Sequence, residues 1–156
     1  MWSQMLAATI SALHVLALGV GLGAVFARAR ALRALAGGEA SALPRVLFAD
    51  NFWGVAALLW LATGLTRAFG GLEKGRDFYL YNGFFWVKMA LFAMVFALEV
   101  APMVAFIGWR IAIGKGAKPD TTRAARFARI SDIETGLVVA IPFVAAAMSR
   151  GLWLLG

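Results

Sequence analysis

Four long apolar stretches, near residues 3–27, 44–67, 83–110 and 130–153, account for most of this chain, and each carries at least one ionisable side chain. About 20 apolar residues suffice for a helix to cross the hydrocarbon of a bilayer. Backbone amides in lipid must be satisfied within their own segment, which favours helices over open strands. Four such stretches in 156 residues leave room only for short connections. The sequence therefore predicts an all-α membrane protein, one domain spanning 1–156 and built as a bundle of four transmembrane helices. Composition agrees: 62% of residues are hydrophobic, against about 45–50% apolar in soluble domains.

The net charge of +7 sits mostly in two loops beside apolar stretches, which points to the bilayer as partner and not to nucleic acid. The first loop holds Arg28, Arg30, Arg33 and Arg45, and the third holds Arg110, Lys115, Lys118, Arg123, Arg126 and Arg129. Only Arg67, Lys74 and Arg76 lie in the middle one. Basic loops stay cytoplasmic. Loops 28–45 and 110–129 are thus expected inside a bacterial inner membrane, with both termini periplasmic. Trp2, Trp86 and Trp153 are then expected at the outer interface and Trp109 at the inner one. The first stretch has no basic residue ahead of it and runs uncharged to Ala27, too long for the core of a cleaved signal. Without cysteine there are no disulfides, thiolate metal sites or thiol nucleophiles.

A charge at the centre of a membrane helix costs about 2.5–3.5 kcal/mol on insertion scales and usually faces the bundle interior. His14, Asp50, Lys88, Glu99 and Glu134 are the residues in question. At 100° per residue, His14 shares a face with Ala7, Ser11, Ala17, Leu18 and Gly21. Asp50 aligns with Gly54, Ala57, Leu61 and Gly64, and Glu134 with Val138, Ile141, Ala145 and Met148. Lys88, Phe92, Val95, Glu99, Phe106 and Arg110 fall close to one line, with Lys88 and Glu99 about 16 Å apart along the axis. By depth, Arg67, Lys88 and Arg150 group at one end, Asp50, Glu99 and Glu134 toward the other, and His14 near the middle. Such a gradient suits an anionic ligand at the basic end, a proton path, or carboxylates that merely staple helices to Arg110 or Arg129. Gly19 and Gly23 are spaced as a helix-packing pair. Pro102 and Pro142 release carbonyls near Glu99 and Glu134. No phosphate-binding glycine loop or HExxH motif is present, and one histidine cannot make a multi-histidine metal site within one subunit.

The run Glu73-Lys74-Gly75-Arg76-Asp77-Phe78-Tyr79-Leu80-Tyr81-Asn82-Gly83-Phe84-Phe85-Trp86-Val87-Lys88 resembles an uncharacterised family of bacterial four-helix membrane proteins. His14, Asp50, Gly54, Gly64, Arg67 and the stretch from Pro142 to Arg150-Gly151 share that resemblance. More distantly, His14 and Trp86-Val87-Lys88 are similar to the copper-resistance D-type domain and the HemJ-type membrane protoporphyrinogen oxidases. What the resemblance implies is haem b or a porphyrin in the bundle core, His14 on the iron, Lys88 beside a propionate, and a redox role. With a single histidine, that haem would be five-coordinate or shared by His14 from two copies in a homodimer. A copper site would need His14 with Met5, Met89, Met94, Met103 or Met148, which form no close cluster. The second reading is a proton-coupled transporter or channel-like module using Asp50, Glu99, Glu134 and Lys88, with Arg67 and Arg150 as further buried polar candidates. The third is a non-catalytic membrane scaffold.

Overall fold

The computed structural model describes residues 2–71 and 74–155. Glu73, which opens the loop motif above, and Leu72 lie outside the described residues, as do Met1 and Gly156. Four long helices carry the fold: α1 (Trp2–Ala36), α2 (Leu43–Phe69), α4 (Gly83–Gly114) and α5 (Ala124–Ser149), with a short α3 (Arg76–Leu80) between α2 and α4. All four long helices are apolar enough to cross a membrane. At 1.5 Å per residue α1 is about 50 Å long, so it projects well beyond the ~30 Å hydrocarbon layer.

Helix boundaries follow local chemistry. Gly37 N–H donates to Arg33 O, and Gly38, at φ +97°, ends α1. Pro44 sits in the first turn of α2, where no amide donor is needed. Asn82 caps α4 by accepting from the Phe84 amide at 3.0 Å. Pro102 and Pro142 lie inside α4 and α5, which continue through them.

Around the bundle the order is α2, α1, α5, α4, with close packing of α1 on α2, α1 on α5, and α4 on α5. Backbones of α2 and α4 do not pack closely, which leaves a cleft between them. Large apolar side chains cover the outside, Phe143, Leu58, Phe48 and Phe96 among the most exposed. A soluble protein would not tolerate that surface; lipid solvates it. Along α1 the buried stripe is Ala17, Gly21, Ala24, Arg28, Ala31 or Leu32, and Leu35, spaced by three, four or seven residues.

Several features differ from the sequence expectations. The fourth long helix runs over Ala124–Ser149 and not 130–153, and α4 extends to Gly114, so Arg110, Arg126 and Arg129 are helical and not part of a 110–129 loop. Residues 28–36, expected in a loop, continue α1, because Arg28 finds buried partners that make a charged helical turn affordable. Gly19 and Gly23 have nothing within 4 Å of an added Cβ, so they are not a packing pair within the chain. Gly21 makes the close approach instead, with Ala56 Cβ 3.3 Å from where its own Cβ would be. Trp109 is buried against Phe106 and Phe127 and donates its indole N–H to Asp120 O at 2.7 Å, so it packs the core end and does not belong to an interfacial belt.

The end of the chain folds back on the middle. Gly83 N–H donates to Trp153 O (3.0 Å), Leu155 N–H to Tyr81 O (2.7 Å) and Asn82 Nδ2 to Leu152 O (3.2 Å). Trp153 holds φ +57°, and its ring lies where a Cβ at position 83 would be.

Candidate functional site

The largest fully buried side chain is Arg28, at 0% exposure. A guanidinium has five N–H donors, and here all five are used. Nε donates to Ser131 Oγ at 3.1 Å, and Nη1 to Asp50 Oδ1 at 2.9 Å and Glu99 Oε1 at 2.8 Å. Nη2 donates to Glu99 Oε2 and Glu134 Oε2, both at 2.7 Å. Thus α1 supplies the cation, while α2, α4 and α5 each supply one carboxylate. The rings of Trp53 and Phe106 lie within 6 Å of the Arg28 carbon, in cation–π range.

A second layer orients these groups. Arg110 Nη2 donates to Asp50 Oδ2 at 2.9 Å and to Asn51 Oδ1 at 2.8 Å, tying α4 to α2 across their cleft. Trp53 Nε1 donates to Glu99 Oε2 at 3.0 Å. Asp50 and Glu99 retain 15% and 19% side-chain exposure, whereas Glu134 has none. Glu134 Oε1 is buried with no hydrogen-bond partner among the described residues. Three carboxylates therefore face two guanidiniums, and one of the three is sealed from solvent with an unused acceptor.

A second polar region occupies the other end of the bundle. His14 Nδ1 lies 2.8 Å from Thr63 Oγ1. The Thr63 hydroxyl also lies 2.6 Å from Leu59 O and 3.2 Å from Trp60 O, so it ties the His14 ring to the α2 backbone. Gly64 makes room for the ring: a Cβ there would lie 3.1 Å from His14 Cε1. His14, Arg67, Lys74 and Lys88 line one cavity of about 120 Å³, and His14 and Lys88 also share a neighbouring one of about 40 Å³. Lys88 Nζ lies 5.4 Å from the Phe85 ring. Arg150 joins neither region, being exposed as the C-cap of α5.

The structure thus brings Asp50, Glu99 and Glu134 together, and separately His14, Arg67 and Lys88. Sequence reasoning missed Arg28, Ser131, Trp53 and Thr63. The available signal for Arg28 was its place on the line His14, Gly21, Arg28, Leu35, each seven residues from the last. Among the described residues, no group of three or more His, Asp or Glu side chains is arranged to hold a metal ion. The two cavities beside His14 fall below the roughly 300–1,000 Å³ of ordinary small-molecule sites, so a porphyrin does not fit them with the helices as packed.

Four apolar helices around buried charges define a multi-pass α-helical membrane protein. Residues 6–152 match the family model described as a predicted membrane protein, DUF2214, and the chain belongs to that family. No curated protein and no solved structure matches it.

Proposed function

We propose that this protein is a small proton-coupled transport module of the bacterial inner membrane, with Arg28, Asp50, Glu99 and Glu134 as its coupling site. The observation that carries this reading is Glu134: wholly buried, sharing Arg28 Nη2 with Glu99, and holding an oxygen without a partner. Two carboxylates crowded onto one nitrogen favour the binding of one proton between them. A staple between helices would need only a matched pair; the extra carboxylate gives the cluster something to exchange. Asp50 and Glu99, partly exposed, connect the sealed site to the α2–α4 cleft. Both termini face the periplasm in this reading, and the Arg30–Arg45 and Lys115–Arg129 segments face the cytoplasm.

On acidification of the purified protein, wild type is expected to take up about one more proton per chain than Glu134→Gln, with both variants eluting as the same folded species. Equal proton uptake by wild type and Glu134→Gln would overturn the assignment.

Haem b at His14 is the second reading, favoured by the cavity wall that His14 shares with Lys88. It requires α2 and α4 to part beside His14, or His14 from two copies to share one iron in a homodimer. A Soret band lost in His14→Ala is its signature, and a colourless preparation from haem-replete cells counts against it.

A further inference from the structure

The last turns of α1 and the first turn of α2 carry four arginines, and three of them have matched acids. Arg28 is enclosed by its carboxylates, Arg33 pairs with Asp132, and Arg45 pairs with Glu39. Arg30 makes no ion pair among the described residues; its guanidinium carbon lies 6.0 Å from the Phe26 ring. Arg30 lines a groove of about 740 Å³ between α1 and α2, within the size range of small-molecule sites. The small side chains of Ala27, Ala31 and Ala34 hollow out its α1 side, and Phe48 and Ala49 wall the α2 side.

This groove is apolar toward the bundle middle and charged toward the turn, where Glu39 and Arg45 line it. Phe48 lies 4.9 Å from Phe52 between ring centroids, and both rings are exposed, so the apolar wall runs on into the lipid-facing surface of α2. At the charged end, the half-exposed Arg33–Asp132 pair marks the level at which the helices leave the hydrocarbon. Arg45 and Glu39 cancel one another, which leaves Arg30 as the uncompensated charge of the groove. Arg45 spends only Nη2 on Glu39, so the rest of its donor fork remains for an oxyanion.

One positive charge beside an apolar wall open to lipid complements one phosphodiester carried on an acyl chain. A soluble anion would gain nothing from Phe48 and Phe52. A zwitterionic headgroup would bring a second cation beside Arg30. We propose that the α1–α2 groove binds an anionic phospholipid of the adjoining leaflet, its phosphodiester against Arg30 and Arg45 and an acyl chain along Phe48 and Phe52.

Native mass spectrometry of the full chain in mild detergent, with phosphatidylglycerol or phosphatidylcholine of the same acyl chains added, tests this. Phosphatidylglycerol is expected to bind about fivefold tighter, the order contributed by one basic residue at an anionic lipid. Arg30→Gln should abolish that preference, whereas Arg126→Gln, an equal change in net charge at an exposed site on α5, should keep it. Ala27 is exposed on the groove wall, so Ala27→Leu should narrow the groove and weaken phosphatidylglycerol binding without lowering the melting temperature. Equal affinity for the two lipids, or equal losses in Arg30→Gln and Arg126→Gln, overturns the site in favour of general charge attraction. Unchanged phosphatidylglycerol binding by Ala27→Leu overturns the groove. Displacement of the lipid by excess inorganic phosphate overturns the lipid as occupant and assigns the arginines to a soluble anion.

Discussion

Glu99 of α4 and Glu134 of α5 each place one carboxylate oxygen 2.7 Å from the same Arg28 nitrogen, and Glu134 is the one with no route to solvent. Two acids on one donor make α1 the hub through which α4 and α5 are held in register. The same contact makes the cluster sensitive to loss of any single member.

Removing the cation should be severe. Arg28→Met leaves three carboxylates in the bundle without their shared donor and is expected to cost about 3–5 kcal/mol. Arg28→Lys should recover little, because an ammonium has three donors where five are used. Thermal unfolding in detergent measures both. Combining Arg28→Met with Asp50→Asn, Glu99→Gln and Glu134→Gln should regain much of the loss, and a multiple variant no better than Arg28→Met would show that charge is not the cause.

Trp53 should report on the cluster, since its indole N–H donates to Glu99. Its fluorescence, isolated as the difference between wild type and Trp53→Phe, is expected to change with pH in one step. That step should vanish in Glu134→Gln. Persistence of the full step in that variant would place the titrating group elsewhere.

The α1 glycines should respond in opposite directions. Gly21→Ala brings a methyl group to 3.3 Å from Ala56 Cβ and 3.5 Å from the Trp53 ring, and overpacking of this kind costs about 1–3 kcal/mol. Gly19→Ala and Gly23→Ala meet open space and should gain roughly 0.4–1 kcal/mol from reduced unfolded-state entropy. Melting temperatures of the three single variants decide it; destabilisation by Gly19→Ala would point to a contact outside the chain.

Closure of the chain end on α4 depends on Gly83, because a Cβ there would overlap the Trp153 ring. Gly83→Ala should release the terminal segment, seen as faster proteolysis after Arg150 while the four long helices persist by circular dichroism. An unchanged cleavage rate would mean that the Asn82–Leu154 pairing holds without the Trp153 contact.

Much of this arrangement was legible in the sequence, for identifiable reasons. Four apolar runs dictated four helices, and helical periodicity put Glu99 and Arg110 on one line and Glu134 on a stripe with Val138, Ile141 and Met148, all three of which are buried. Hydropathy failed at Arg28, because a charge after a long apolar run reads as the end of a span. Only a tertiary fact, acids arriving from three other helices, makes that position part of the core. Trp53 was passed over because an aromatic on a membrane helix ordinarily faces lipid or packing neighbours, and its polar edge matters only once Glu99 lies beside it. The cleft could not be read at all, since periodicity assigns faces to helices and is silent on which pair of helices stands apart.

Arg28 and Glu134 are 106 residues apart in sequence. At ordinary synthesis rates, roughly 5–20 s separate their emergence from the ribosome. During that interval α1 carries an arginine that can meet Asp50 and then Glu99, while two of its five donors still wait for Ser131 and Glu134, and an arginine at depth with unmet donors is costly to hold in lipid. The first helix therefore has reason to wait at the insertion machinery, or to ride shallow, until α5 is delivered. The cluster that organises the finished bundle is thus completed last by α5: a chain interrupted before Ser131 keeps Asp50 and Glu99 against Arg28 but leaves two of its five donors unmet.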